Sequence, residues 1–435
     1  MIKFLVRRLV FLFFTLVFVS LAVFAISELA PGSIARNTLG NTITPEQEAS
    51  FNAQNGLDDS PTTRYIRWMF GSDWEAAQKV GHPIVRLVDE ESGRYSWWIQ
   101  APDGSLYQTK TPDGETIVRL VRQPDGSVVE TTSPEDHWTP NENGVEIFWG
   151  VDEGGRAAMW VRGDDQVAWT LTAATWTTAA GAPREYIPLQ KGLIRGDPGV
   201  SFLTRRPVGE TLGPRIRNTA YLAGISFVVM MPLALFLGLL AGLNEGKWFD
   251  RAASISSLIA TATPEFASGV FLILIFATWL KWFPGAVVAI RDDTIFEKPE
   301  MLVLPILTLT LIELGYVLRI TRASMVEVMR TNYIRTAVLK GLPRRHIVFK
   351  HALRNALMAP ITVILLHVNW LIGGIVIVES LFAFPGLGSF ILDAALFKDV
   401  FAIEAAAMLL VVIAVGTQLI ADVIYTYLNP RIRYS

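Results

Sequence analysis

The chain of 435 residues contains no cysteine. That excludes disulfides and every thiolate metal site, so any part outside the cytoplasm must hold together by packing alone. Charge is scarce as well. Only 18% of residues are Asp, Glu, Lys or Arg, against 51% hydrophobic, and mean hydropathy is positive. A soluble domain carries about 25% charged residues, so this composition belongs to an integral membrane protein with one soluble part. Catalytic signatures are missing too: the chain has no HExxH and no GxSxG. The nearest approach to a phosphate-binding loop is Gly242-Leu-Asn-Glu-Gly246-Lys247-Trp248. It is one residue short, and it has Trp where Mg²⁺ needs a Ser or Thr hydroxyl. The five histidines are scattered. The chain is therefore expected to bind no metal or cofactor of its own, and no nucleophile–base pair in the apolar runs speaks for an enzyme.

What the chain has in quantity is long apolar runs. A bilayer core of about 30 Å needs roughly 20 helical residues. Six stretches meet that length: Leu9–Ser27, Thr219–Leu243, Ser254–Leu280, Met301–Leu318, Ala356–Val378 and Phe401–Tyr427. Lys3, Arg7 and Arg8 precede the first and place the N-terminus in the cytoplasm. A cleaved signal peptide would carry an apolar core of about 7–15 residues. Here 19 residues run uncharged from Leu9 to Ser27, so the segment reads as a retained span. Six spans put both termini inside, and they put residues 29–216 and 284–300 outside.

The formal net charge of −2 hides an asymmetry. Residues 71–191 carry 10 basic and 19 acidic side chains, leaving 28 and 21 elsewhere. By contrast, residues 319–354 hold nine Lys/Arg and one acid, Glu327. Basic residues crowded beside apolar spans are a topology signal rather than a nucleic-acid footprint. A Lys or Arg at mid-bilayer would cost about 2.5–3.5 kcal/mol, so the stretch lies in the cytoplasm rather than in a span. Its apolar residues recur at helical spacing, Gly341 stands where a helix can end, and Pro343 follows. A short cytoplasmic helix offering a docking face is expected there. Arg431 and Arg433 fall on the same side.

Residues 71–191 differ in kind. They hold eight of the 13 tryptophans and three Pro-Asp-Gly tripeptides, at 102–104, 112–114 and 124–126. Pro pre-sets the first turn position, Asp bonds locally and Gly accepts positive φ. Ser105–Lys110, Glu115–Val121 and Ser127–Thr132 then read as strands of hairpins, with further strands at Tyr95–Ile99, Val145–Trp149, Ala157–Val161 and Val167–Thr172. Two readings of the tryptophans stay open. They form the core of a small domain, or some are exposed on a cap or docking surface at the outer mouth. Charged residues inside spans also carry two readings. Glu265, just after Pro264, and Glu313 line a pathway or bond between helices, whereas Asp422 near a cytoplasmic end reads as a helix–helix contact. His367, in the fifth span, reads first as a hydrogen-bonded packing residue and second as a pathway group.

Several separate stretches resemble the inner-membrane permease subunits of ABC importers in the dipeptide, oligopeptide and nickel group. They include Pro31-Gly32, TPEQEA, GLIRGDPGVSF at Gly192–Phe202, RPVGE at Arg206–Glu210 and LPILTL at Leu304–Leu309. The most specific are Tyr333–Pro360, Val378–Asp399 and the ending DVIYTYLNPRIRY. The likeness covers roughly residues 1–70 and 192–435. It implies an α-helical integral membrane protein of the inner membrane, with six transmembrane helices of the type I ABC importer permease fold and a β-rich extracytoplasmic insertion. Residues 1–70 would hold the first helix, 71–191 the insertion, and 192–435 a five-helix core with the cytoplasmic loop 319–354. The resemblance further implies that Tyr333, Thr336, Ala337, Lys340 and Gly341 form the segment docking in a cytoplasmic ATPase, although Val338-Leu339 replaces the usual Arg-Ala pair. It places Pro385, Gly386 and Gly388, otherwise a tight turn, near the pathway and the docked binding protein. The implied partners are a second permease, two ATPases carrying ATP and Mg²⁺, a substrate-binding protein and the bilayer, with no nucleic acid. Peptide is the expected cargo, with nickel, glutathione or oligosaccharide as alternatives. A membrane-anchored sensor using 71–191 is the rival of another class.

Overall fold

The computed structural model describes residues 2–30, 32–88, 95–132, 138–163, 168–172, 175–179, 181–287 and 298–428, and for 2–5, 168–179, 366–372 and 425–428 the backbone only. The Arg431/Arg433 tail, Val167 and most of loop 284–300 lie outside the described residues. The first helix, α1 (Ile2–Leu29), is apolar all round, and Phe11, Phe14 and Phe18 stand exposed, as side chains facing lipid do. Four short helices follow: α2 (Ile34–Leu39), α3 (Pro45–Gln54), α4 (Pro61–Phe70) and α5 (Asp73–Val80). Each of the middle two starts on a cap. Thr44 and Gln47 form a reciprocal capping box, and Ser60 accepts from the backbone of Thr63 with Pro61 at the first helical position.

Among the described residues eleven strands, β1 (Ile84–Val88) to β11 (Glu185–Pro188), come next. The helices that follow are α6 (Val208–Leu243), α7 (Trp248–Ala262), α8 (Glu265–Leu272) and α9 (Val303–Met329). After them run α10 (Asn332–Leu339), α11 (Arg344–His346), α12 (Leu353–Ala356), α13 (Met358–Leu381), α14 (Leu387–Leu396) and α15 (Val400–Leu428). Among the described residues five helices are long and apolar enough to cross a membrane, and a sixth crossing is reached if α7 and the helix starting at Glu265 count as one. Ser254–Leu280, expected as one uninterrupted span, is this pair, broken between its two helices. It bends by 109° at Thr263-Pro264. The cause is local: Pro264 lacks an N–H, and its ring pushes Thr263 into extended backbone (φ −89°, ψ 127°).

The chain divides into two compact units. The first comprises Met1–Val19, Leu212–Asp393 and Ala406–Ser435. Its core gathers Leu222, Leu304, Leu309, Ile375, Val378 and Phe382. Glycines set the helix spacing. A Cβ at Gly238 would lie 2.7 Å from the Leu318 carbonyl, and one at Gly315 would lie 2.7 Å from the Ser257 carbonyl. Backbones at that distance leave no room for a side chain.

The second unit comprises Ser20–Thr211 and Ala394–Ala405. It contains a five-stranded antiparallel sheet in the order β1-β2-β3-β4-β5, a four-stranded sheet β11-β8-β7-β6 and the hairpin β9-β10. The three Pro-Asp-Gly tripeptides are turns, with Gly104, Gly114 and Gly126 at φ +85°, +77° and +86°. Each Asp accepts backbone and hydroxyl hydrogen bonds just downstream. The hydroxyl and N–H of Thr116 hold the Asp113 carboxyl down at about 2. Trp97, Trp98 and Trp160 are buried, and Trp74 is half-exposed; Trp169 and Trp176 lie outside the described side chains. The buried tryptophans thus serve the sheets as core. Ser72 pins the ends of the segment together: its N–H donates to the Gln190 carbonyl (3.0 Å), and its hydroxyl bonds the Pro188 carbonyl and the Gln190 N–H.

Candidate functional site

The basic loop contains the expected short helix. On α10, Ile334 and Ala337 point inward against Met325, Ile347, Val348 and Ala352. The opposite face shows Tyr333, Arg335, Thr336, Val338 and Leu339 to solvent, and Leu339 is 80% exposed. Of the five residues expected to dock, Ala337 alone turns inward; its 7% exposure makes it a packing residue under the surface. The helix closes as a Schellman motif. Gly341 takes φ +73°, and the Leu342 N–H reaches back to the Ala337 carbonyl at 3.4 Å. Tyr333 is fixed by an amide N–H of Asn355 (2.8 Å), while Thr336 bonds the Asn332 carbonyl (2.9 Å). Lys340 and Gly341 stand exposed at the tip.

Two ion pairs tie the α6–α7 turn and the start of α7 to the C-terminal end of α9 and its cap. Asp250 is buried, takes both an Nε and an Nη of Arg322, and accepts the Gly246 N–H at 2.9 Å. Arg330 donates to Glu245 at 2.6 Å. The bidentate, partly covered pair is the stronger of the two. α9 leads directly to α10, so the helix is mounted on a braced support.

The intramembrane acids are arranged in two ways. Glu265 opens α8 beyond the break and packs over Gly374, where a Cβ would lie 2.7 Å from its Oε1. Glu313 is buried in α9, within electrostatic reach of Glu265. Asp422 pairs with Arg8 and accepts from Gln418 at 3.1 Å. His367 lies on α13 with its side chain outside the described residues. Among the described residues no group of three potential ligands is placed to hold a metal ion.

Sequence reasoning missed Glu379. It is fully buried at the end of α13 and accepts from Thr219 Oγ1 and from the N–H groups of Gly388 (2.6 Å) and Ser389 (3.2 Å). Those N–H groups belong to the first turn of α14, which has no intrahelical partners for them. Gly386 and Gly388 are glycines because the carboxyl lies against them; a Cβ at Gly386 would stand 2.0 Å from Glu379 Oε1. The Pro385 carbonyl accepts from Asn218 (2.9 Å). A Glu closing an apolar run and followed by a Gly-rich turn was the available signal.

Comparison with known proteins places these features. The family model of the binding-protein-dependent transport system inner membrane component matches residues 234–434, and a companion model for the N-terminal part of such components matches 1–83. The chain belongs to this family. As an ABC permease of the inner membrane it is 34% identical to the oligopeptide transport system permease AppB of Bacillus subtilis, over 58% of this chain and 80% of that protein. It is 34% identical to the glutathione permease GsiC of Shigella flexneri (56% and 76%) and 29% identical to the dipeptide permease DppB of Alkalihalophilus pseudofirmus (58% and 81%). A solved inward-facing structure of the MetNI methionine ABC transporter covers 51% of this chain and 97% of its own at 18% identity and TM-score 0.42. The permease's α10, its intramembrane acids and its Glu379 turn all fall inside the 234–434 match, and strands β1 to β11 fall between the two matches. Membership favours transport over an anchored sensor.

Proposed function

We propose that this permease forms half of a translocation pathway for peptides delivered by an extracytoplasmic substrate-binding protein, and that it catalyses nothing itself. The oligopeptide and dipeptide systems named for its relatives support peptide as the cargo, and glutathione is itself a short peptide. A second, similar permease would complete the pathway, and two cytoplasmic ATPases would carry ATP and Mg²⁺. Six spans, counting the bent pair as one, would leave both termini in the cytoplasm and residues 71–191 outside. The basic loop and the acidic insertion support that orientation.

The observation that carries this reading is α10, a short helix packed on one face, with Tyr333, Thr336, Leu339 and Lys340 projecting from the other. Such a helix can seat in a cleft of a partner and move with it as a rigid body. The Asp250–Arg322 and Glu245–Arg330 pairs support transmission, because they bind α9 to the neighbouring turn. Leu339 is almost free of intramolecular packing, so Leu339→Glu should leave the fold intact and spoil an apolar seat in the ATPase. ATP-driven dipeptide uptake by the reconstituted complex should fall at least ~10-fold, about 1.4 kcal/mol of lost coupling, with the chain still in the membrane at native level. Native uptake by that variant overturns the coupling assignment.

A further inference from the structure

Helix α4 carries its charges on the inside. Arg64 pairs with Glu28, and Arg67 pairs with Asp59 (2.5 Å) and with both carboxylate oxygens of Glu75 (2.9 and 3.0 Å). Trp68 is fully buried and donates its indole N–H to the Pro198 carbonyl at 3.1 Å. What α4 leaves outside is apolar. Ile66 and Phe70 stand exposed, and no exposed residue of the helix is charged. A helix facing water shows the reverse arrangement.

The apolar face extends beyond the helix. Trp74, in the first turn of α5, is half-exposed, and its indole N–H donates to the Gly71 carbonyl at 3.0 Å. Ile194 belongs to the single turn Leu193–Arg195, which packs against α4, and it is 64% exposed. The Arg195 guanidinium fastens that turn to the Phe70 carbonyl (3.0 Å) and pairs with Asp73. Ile66, Phe70, Trp74 and Ile194 thus come from three separate elements and form one patch with an ion pair at its rim. Single exposed apolar side chains need no explanation, whereas a gathered patch of this kind marks a contact surface.

The end of α1 indicates what covers it. The hydroxyls of Tyr65 on α4 and Ser20 on α1 bond at 2.6 Å, the Tyr65 ring meets Phe24 edge-on at 5.3 Å, and the Arg64–Glu28 pair adds a third tie. α4 is therefore fastened along the last turns of a helix that is apolar all round and leaves Ile26 and Leu29 exposed. The patch continues that lipid-facing surface. Its make-up also suits the boundary between acyl chains and headgroups: aliphatic and aromatic side chains, an indole, and an arginine at the edge.

We propose that α4, Trp74 and Ile194 form a lipid-contact surface, with Ile66, Phe70, Trp74 and Ile194 set among the acyl chains at the end of α1 and Arg195 at the level of the phosphates. The contact anchors the root of the 71–191 segment, because Gly71 and Gly192 meet directly beside the patch. The leaflet is the outer one on the orientation proposed above; the contact itself does not depend on that reading.

Spin labelling of the full chain in lipid nanodiscs tests it. The chain has no cysteine, so a nitroxide on Phe70→Cys or Ile194→Cys reports from one place. Oxygen concentrates among acyl chains, and a charged nickel chelate stays in water. At Phe70 and Ile194 oxygen should relax the label more strongly than the chelate does, as it should at Phe14→Cys on α1. At Asn143→Cys, in an exposed turn, the order should reverse. Both test positions are exposed, so the label has room without disturbing the fold. Dominance of the chelate at either position overturns the proposal, because the patch then faces water. Protection from both reagents overturns it as well, because a second copy of the chain then covers the patch in place of lipid. Both reagents reach both faces of a nanodisc, so neither result depends on the topology or the cargo, which are read by other measurements.

Discussion

At the end of α13, Glu379 has no exposed surface, and its carboxylate takes over a task that backbone cannot perform. The first turn of α14 presents N–H groups without intrahelical acceptors. Gly388 and Ser389 give theirs to Glu379, and Leu387 gives its own to Thr219 Oγ1 at 2.7 Å. Thr219 in turn donates to Glu379, so one hydroxyl serves both. A negative charge at a helix N-terminus is also favoured by the helix dipole. Glu379→Gln keeps the shape but replaces one acceptor oxygen by a donor facing donors. It should cost about 1.5–3 kcal/mol, the range for hydrogen bonds to a charged group. Gly386→Ala should be at least as damaging, since its methyl would occupy the carboxylate's place. Thermal unfolding of the solubilised chain measures both, and a Gln variant as stable as the native chain would remove the capping role.

At the scale of elements, legibility followed the strength of the local signal. The helix at Asn332–Leu339 was readable because its apolar spacing, Gly341 and Pro343 agree. The Pro-Asp-Gly turns were readable because each residue in them has one conformational use. Helices α2 to α5 went unread, although Thr44 with Gln47, and Ser60 with Pro61, are start signals; these helices are too short for periodicity to register. The break at Pro264 was hidden by composition, since the two helices together are apolar enough to pass for one span. Glu265, read as mid-span, in fact starts a new helix. The inserted strands lend themselves to removal, because entry and exit meet. A Cβ at Gly192 would lie 2.3 Å from the Gly71 nitrogen. Below the junction, Trp68 bonds the Pro198 carbonyl (3.1 Å) and Arg195 bonds the Phe70 carbonyl (3.0 Å). Joining Gly71 directly to Gly192 should therefore close without strain and leave a membrane-inserted chain that still recruits its ATPase. Aggregation of the deleted chain on size exclusion would show that the strands are integral to the permease.

For the molecule as a whole, orientation is the property on which the proposed function depends, and the missing cysteine makes it measurable. Every introduced thiol is unique in a chain that has none, so labelling needs no prior stripping of native sites. Two exposed positions report opposite sides in the proposed topology: Asn143 in the turn before β7 (Glu146–Val151), and Leu339 on α10. The charge distribution predicts their sides. The acidic 71–191 segment should be outside and the nine-cation loop inside. A membrane-impermeant maleimide applied to intact spheroplasts should modify Asn143→Cys and spare Leu339→Cys, and permeabilisation should expose the latter. The same reagent also separates orientation from coupling. Maleimide on Leu339→Cys, added after opening the membrane to the complex, should block uptake if α10 seats in the ATPase and should do nothing if the helix is only a charged stop. Labelling of Leu339→Cys from outside would invert the topology, and with it the assignment of 319–354 as the face that meets ATP hydrolysis.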